Sequence, residues 1–339
     1  LVVVGNPTAD PDDPIFEVKN NAGQVILGVY QEGVRINIAE VSSTKGAKRG
    51  FAVGGLTNAT KGDEVEYLTI TPDSTRIYVK DDVTKGAKRG FAVGGLTNAT
   101  KGGINSFMQL TRENYLIGYD AGKAITTGLY NSILGYQAGM VNSVGSWNTF
   151  LGYQAGMNNT GSDNTFIGYQ AGMVHQSKGG NVYIGSKAGA NAQNGERNVL
   201  IGESSGYGIT TGAKNVYIGF ESGYSSTSGN YNVFLGTTTG RSNTTGSSNV
   251  FVGIGSGYNN VSGSNNLFLG TSSGLSNTTG SYNTFLGYET GYSNNSSYNS
   301  FVGYQSGRYN TDGQYNTFLG YRSGYTNSSG AKNIFIGYL

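Results

Sequence analysis

Apolar residues in the last two thirds of the chain recur in short groups separated by polar stretches. In Asn-Thr-Phe-Leu-Gly at 148–152, a ring lies between Thr and Leu, and a glycine follows. Closely similar groups return after 17 residues in eleven intervals and after 16 residues in two. A glycine costs about 1 kcal/mol in a helix interior. Glycines spaced this closely therefore exclude helix and predict a stack of short strands and turns.

The glycine that ends each group marks the repeat, and we call it the marker glycine. Asn lies four residues before it in all fourteen copies, and Ile, Leu or Val lies directly before it. Phe lies two residues before it in nine copies, and a second Gly lies four residues after it in every complete copy. The markers are Gly118, Gly135, Gly152, Gly168, Gly185, Gly202, Gly219, Gly236, Gly253, Gly270, Gly287, Gly303, Gly320 and Gly337. We predict an all-β parallel solenoid over 104–339, whose coils each hold two short strands and two turns and stack at about 4.8 Å.

The alternation of side chains along a strand assigns the rings to one face. Because neighbouring side chains point to opposite sides, the ring points one way and the residues on either side of it point the other. Both faces are apolar, and a 17-residue coil is too thin for two interiors. We expect one face to line a narrow core with small residues such as Ala138, Ala155 and Ser222. Bare rings would exceed the apolar patch that soluble monomers tolerate, so we predict that they form an interface between identical chains. The predicted interface residues are Phe150, Phe166, Phe234, Phe251, Phe268, Phe285, Phe301, Phe318 and Phe335.

The invariant Asn predicts a ladder of stacked amides. Side-chain amides one coil apart can hydrogen-bond to each other and to turn backbone. The predicted ladder comprises Asn114, Asn131, Asn148, Asn164, Asn181, Asn198, Asn215, Asn232, Asn249, Asn266, Asn283, Asn299, Asn316 and Asn333.

The first hundred residues have a different repeat. The segment TKGAKRGFAVGGLTNATKG occurs at 44–62 and again at 84–102. We predict an N-terminal β-module at 1–43, two copies of a 40-residue β-module at 44–103, and the solenoid at 104–339, with the second module running into the first coil. Because the chain opens without Met and stops part-way through a repeat, we expect it to be a segment of a longer protein.

The repeat N-[TV]-F-[IL]-G-x-x-[AS]-G over 114–339 resembles the head repeats of trimeric autotransporter adhesins. The FAVGG and TPDSTRIYV modules over 44–103 resemble those that precede such coils in repetitive bacterial surface fibres. The resemblance implies a left-handed parallel β-roll in a homotrimer at the bacterial cell surface. The period of 17 instead of 14, the rings in place of alanine, and the lack of a stalk or anchor in this segment depart from that family.

Composition narrows the function classes further. A formal net charge of +2 gives no electrostatic footprint for nucleic acid, the absence of Cys excludes thiolate metal sites, and no run of 18 apolar residues is present to span a membrane. The single histidine, His175, has no evident partners for catalysis or metal binding, so we expect a structural or exposed role and no cofactor. The alternative is a site between three chains, in which three copies of His175 surround a common axis.

Two further surface features suggest contacts. Lys45, Lys48 and Arg49, with their copies Lys85, Lys88 and Arg89, form basic tips that either solubilise loops or dock to anionic polysaccharide or another cell surface. A row of tyrosines lies five residues after the marker glycines, and we expect these rings to pack in a core or an interface rather than to bind sugar. Its members are Tyr224, Tyr258, Tyr292 and Tyr325. We expect a non-enzymatic, structural segment of an extracellular homotrimeric fibre. The alternatives are a monomeric solenoid that binds glycan or ice, and an enzyme resembling left-handed β-helix acyltransferases.

Overall fold

The structure is a computed structural model that describes residues 16–19, 25–30, 33–36, 68–71, 74–77, 91–95 and 105–339. Every helix or strand in these ranges is a β-strand. The chain divides into two compact units, 1–91 and 92–339, which we describe separately.

The first unit contains two small antiparallel sheets. Strands β1 (Phe16–Lys19), β2 (Val25–Tyr30) and β3 (Gly33–Ile36) form one sheet in that order, and β4 (Leu68–Thr71) pairs with β5 (Ser74–Ile77) in the other. The first nineteen-residue copy at 44–62 lies outside the described residues, as does most of the second copy. The division into modules at 1–43 and 44–103 therefore remains a prediction.

The second unit is built on one sixteen-stranded sheet whose order follows the sequence from β6 to β21. Strand β7 pairs antiparallel with β8, and from β8 onward all neighbours are parallel and pair residue for residue with the next coil. The bounds are β6 Phe91–Gly95, β7 Asn105–Leu110, β8 Asn114–Ile117, β9 Asn131–Leu134, β10 Thr149–Leu151, β11 Thr165–Ile167, β12 Val182–Ile184, β13 Val199–Ile201, β14 Val216–Ile218, β15 Val233–Leu235, β16 Val250–Val252, β17 Leu267–Leu269, β18 Thr284–Leu286, β19 Ser300–Val302, β20 Thr317–Leu319 and β21 Ile334–Ile336. The predicted parallel solenoid of 17-residue coils is confirmed.

Each coil holds one strand, and the prediction of two strands per coil is wrong. The half of the coil after the marker glycine is a series of turns, although its backbone still bonds to the next coil. In one coil, Gly240 N donates to Ser256 O at 2.9 Å and Ser242 N donates to Tyr258 O at 2.9 Å. Left-handed residues in this half, such as Thr238 at φ 51°, keep the chain from extending.

The marker glycine lets successive coils approach closely. At Gly219, φ is +137°, and an added Cβ would lie 2.2 Å from the carbonyl oxygen of Gly236 in the next coil. No L side chain fits this backbone or this gap. The glycine at this position is therefore fixed by the stacking itself.

Candidate interaction face

The rings two residues before the markers lie inside the coil. Phe150 through Phe318 of this row are 0 or 1% exposed within a single chain. Their rings stack from coil to coil with centroids 4.6–5.2 Å apart. The structure contradicts the predicted interface role of this row, because a ring that its own coil encloses has no surface left for a partner. Only Phe335, in the last coil, is exposed, at 41%.

Small residues on the opposite side of the coil make room for the rings. The second glycine of each repeat faces the ring, so that a Cβ on Gly240 would lie 2.5 Å from the ring of Phe234. The residue before that glycine is also small and buried, as at Ala155 and Ser222. The narrow core therefore takes both the small residues expected there and the large rings that were assigned to the other face.

The invariant Asn residues lie next to this core and bridge consecutive coils. In a representative step, Asn232 N donates to the Oδ1 of Asn215 at 2.9 Å, and Asn232 Nδ2 donates to Gly246 O at 2.8 Å. These amides are 0–8% exposed from Asn114 to Asn316. Since an unpaired buried amide would cost free energy, each coil stabilises the position of the next.

A second row of amides, not predicted from the sequence, is also buried in the coils. It lies seven residues after the marker, and Asn260 Nδ2 donates to Asn243 Oδ1 at 2.7 Å and to Gly263 O at 3.0 Å. Its buried members are Asn142, Asn159, Asn243, Asn260, Asn277, Asn294 and Asn310, and the half-buried Asn327 ends the row. The signal was present in the sequence, but polar turn residues gave no reason to expect them inside.

His175 occupies this second amide row and is completely buried. Its Nδ1 lies 2.9 Å from Asn159 Oδ1, and its Nε2 lies 3.1 Å from Asn181 Nδ2. A neutral ring that carries its proton on Nδ1 donates to the first and accepts from the second. Burial lowers the pKa of His175 to about 4, against a weaker opposing effect of the Gly195 carbonyl. The structural role expected for this histidine agrees with these contacts.

Two tyrosines in the ring row are matched to small residues in the second amide row of the same coil. Tyr217 Oη lies 2.9 Å from Ser226 Oγ. Tyr183 has Ala192 at the equivalent place, and its buried hydroxyl has no hydrogen-bond partner. Burial raises the pKa of both phenols; Asn198 opposes the shift at Tyr183 without making a hydrogen bond of acceptable geometry.

The opposite side of the parallel sheet carries two outward rows, which we call the outer face. All its side chains are half-buried or exposed, and none of its 28 positions is charged. The row three residues before the markers is Tyr115, Ser132, Thr149, Thr165, Val182, Val199, Val216, Val233, Val250, Leu267, Thr284, Ser300, Thr317 and Ile334. The row directly before the markers is Ile117, Leu134, Leu151, Ile167, Ile184, Ile201, Ile218, Leu235, Val252, Leu269, Leu286, Val302, Leu319 and Ile336. Leu134 and Leu319 are each 45% exposed, so the face is apolar and uncovered in one chain.

Two flanking rows border the outer face. The leading flank lies five residues before each marker and the trailing flank one residue after it, just beyond the two ends of the short strand. In the coil of Gly320 these positions are Tyr315 and Tyr321, both exposed. Aromatic residues occupy both flanks in most coils near the two ends of the sheet, whereas in the middle coils most flank residues are polar, charged or aliphatic, with Phe220 and Tyr231 as the aromatic exceptions.

The flanking tyrosines stack along the coils with their faces covered. Ring centroids of Tyr288, Tyr304 and Tyr321 are 5.3 and 5.2 Å apart with interplanar angles of 10° and 7°. The ring faces that would stack on a sugar are occupied by neighbouring rings. This geometry argues against a sugar platform on these rows.

The row that includes Tyr224, Tyr258, Tyr292 and Tyr325 is interrupted by arginines. Arg241 lies over the rings of Tyr224 and Tyr258 at 4.9 and 5.8 Å, and its Nε bonds to Glu221 at 2.6 Å. Arg308 repeats the arrangement with Tyr292 at 4.9 Å and Glu289 at 2.7 Å. These contacts give the row a packing role, in which each cation pairs with an acid of the preceding coil.

The basic tips predicted as docking sites lie outside the described residues. They comprise Lys45, Lys48, Arg49, Lys85, Lys88 and Arg89. Among the residues that the structure describes, no group of three or more His, Asp or Glu side chains is arranged to hold a metal ion, and none forms a helix that could cross a membrane. No family model, curated protein or solved structure matches this chain.

Proposed function

We propose that this chain is a structural segment of an extracellular fibre at the bacterial cell surface, which spaces or presents a binding tip for attachment. In this proposal three identical chains associate through the outer face, and the rings stay inside each chain. The observation that carries the proposal is the uncharged, mostly aliphatic outer face along all fourteen coils.

The size of the outer face supports association of identical chains. Fourteen strands at the spacing of neighbouring strands give a face about 67 Å long. Six residue steps from one flank to the other add a width of about 20 Å. The product, about 1,300 Å², exceeds the roughly 800 Å² per partner of a standard interface. An apolar surface of this size is larger than soluble monomers usually leave bare.

The geometry of the sheet and the resemblance to a known family support the other parts of the proposal. A stack of similar coils presents the corresponding face at every level, so identical chains lying side by side can cover it along its length. The number three, the cell-surface location and the attachment role come from the resemblance to trimeric autotransporter adhesins.

The alternative of a monomeric binding module has less support on this surface. A glycan platform needs open ring faces, which the stacked tyrosines lack. An ice-binding face would need polar or Thr rows, whereas the row directly before the markers is aliphatic throughout.

The mass of the chain in solution tests the proposal. Light scattering should give about 106 kDa for three chains of 35.5 kDa. A mass of two chains would keep association through the outer face and remove threefold symmetry. A single 35.5 kDa species at micromolar concentration would overturn the proposal and favour the monomeric binding module.

A further inference from the structure

One strand of the parallel sheet is flanked by opposite charges. Strand β13 has Arg197 on its leading flank and Glu203 on its trailing flank, and both side chains are exposed. No other strand from β8 to β21 has an acid on one flank and a base on the other. Glu203 is also the one charged residue in the fourteen-residue trailing flank.

These two charges have no ion-pair partner among the described residues. Other charges of the coils do pair within the chain, for example Arg241 with Glu221 at 2.6 Å and Lys123 with Asp120 at 3.2 Å. Arg197 and Glu203 form no ion pair with each other, since they lie beyond opposite ends of strand β13, whose three extended residues alone span about 10 Å. Along the trailing flank, the neighbours of Glu203 are Ser186 and Phe220, and neither carries a charge.

Symmetry brings the two flanks together between chains. When identical rods are related by rotation about their long axis, the leading flank of one sheet lies beside the trailing flank of the next at the same level. In an antiparallel arrangement of two chains, the leading flank of one would instead lie beside the leading flank of the other, and trailing beside trailing. In a rotational assembly, Arg197 of each chain therefore faces Glu203 of its neighbour.

We propose that Arg197 and Glu203 form an ion pair between chains that fixes their register in the fibre. The proposal rests on the association of identical chains through the outer face. Repeated coils make shifts of one coil nearly equivalent for the aliphatic contacts between two chains, so a feature that is not repeated adds to the alignment that closure of the ring imposes. A buried or rim charge pair selects one alignment from several more than it adds affinity.

Shifts of one coil lose this pairing. A shift in one direction places Arg197 beside Phe220 and leaves Glu203 beside Gly180. A shift in the other direction places Lys214 beside Glu203 but leaves Arg197 beside Ser186. The aligned state pairs Arg197 with Glu203 and places the stem of Lys214 against Phe220.

Zero-length coupling tests which pair forms. In the Arg197→Lys variant, a carbodiimide joins an amine to a carboxylate only when the two are in contact. We expect covalently linked chains on a denaturing gel and a cross-linked peptide that joins positions 197 and 203. The matched control, Arg197→Lys with Glu203→Gln, should lose that peptide and keep its mass by light scattering.

Each result of this experiment is informative. A dominant link between Glu203 and Lys214 would place the chains one coil out of register and overturn the proposed pair. An oligomer by light scattering without a 197–203 link would overturn the pair and leave the proposed function standing. A monomer would overturn both.

Charge reversal gives a second readout that does not depend on coupling. Arg197→Glu and Glu203→Arg should each raise the concentration at which half of the assembly dissociates, because each places like charges together. The double variant should restore the original value. Equal dissociation of all four proteins would contradict the pair.

Discussion

The rings of Phe251 and Phe268 stack 4.7 Å apart, with an interplanar angle of 6°, inside a single chain. Both are completely buried, and both lie against glycines of their own coils. The ring row is thus a continuous core one residue wide, and the stacking distance of the coils sets the distance between rings.

Replacing one ring in the middle of this core should leave a cavity. We expect Phe251→Ala to lower the free energy of unfolding by about 3–5 kcal/mol, the range for large-to-small changes in cores. Phe335→Ala is the matched control, because that ring is 41% exposed and stacks on Phe318 alone. Its loss should be well under half as large in denaturant unfolding; equal losses would argue against the enclosed core.

His175 should make stability depend on pH. Its pKa is about 4 in the folded chain and 6.5 for the unperturbed side chain. Between these values the unfolded state binds a proton that the folded state does not, so stability is full above pH 6.5 and falls as the pH is lowered towards 4. The difference corresponds to about 3 kcal/mol at the acid end.

The His175→Asn variant isolates this effect, since Asn is the usual residue of the second amide row. We expect the stability loss between pH 7 and pH 4 to shrink by most of that amount, as measured by denaturant unfolding at each pH. Identical pH profiles for the two proteins would show that His175 is not the titrating group.

The unpartnered hydroxyl of Tyr183 offers a stabilising substitution. Ala192→Ser places a hydroxyl where Ser226 meets Tyr217 in the equivalent coil. A hydrogen bond to a buried group contributes about 1 kcal/mol, so we expect a gain near that size. The reverse change, Ser226→Ala, should cost about 1–3 kcal/mol. Thermal unfolding measures both, and a destabilised Ala192→Ser would show that the two coils are not equivalent.

The marker glycines should tolerate no side chain. Gly219→Ala requires a Cβ at 2.2 Å from the carbonyl of Gly236, at a φ of +137°. We expect a loss of roughly 3 kcal/mol or more, from backbone strain and displacement of the coil. Gly255→Ala is the control, because φ is +63° and the nearest atom lies at 4.0 Å. That change should cost about 1 kcal/mol, and similar losses at both sites would remove the role assigned to close coil stacking.

The periodicity of the sequence was enough to predict most of the fold. The spacing of the markers gives the coil length and the number of coils, and the alternation around Phe251 correctly separates two apolar faces. The face assignment failed because alternation alone does not say which face is inside. The glycine four residues after each marker held part of the missing information, because a large side chain facing it leaves no room for a Cβ, as at Gly257 beside Phe251.

The remaining differences come from features that a local pattern does not show. The second strand of each coil was expected from its length, but left-handed residues such as Thr238 turn the chain there. Buried amides such as Asn260 read as ordinary turn residues, because their burial depends on the stacked neighbours above and below. The sequence correctly predicted an exposed apolar face, but the prediction assigned the rings to that face instead of the residues on either side of each ring.

The central claim is that identical chains cover the outer face while each chain encloses its own rings. The direct test is the light-scattering mass of the Ile218→Asp, Leu235→Asp double variant, which adds two charges to the middle of that face. The matched control is Ser228→Asp with Thr245→Asp, two exposed positions on the polar turns. We predict a folded 35.5 kDa species for the outer-face variant and about 106 kDa for the control. An outer-face variant that keeps the mass of the control would contradict this account.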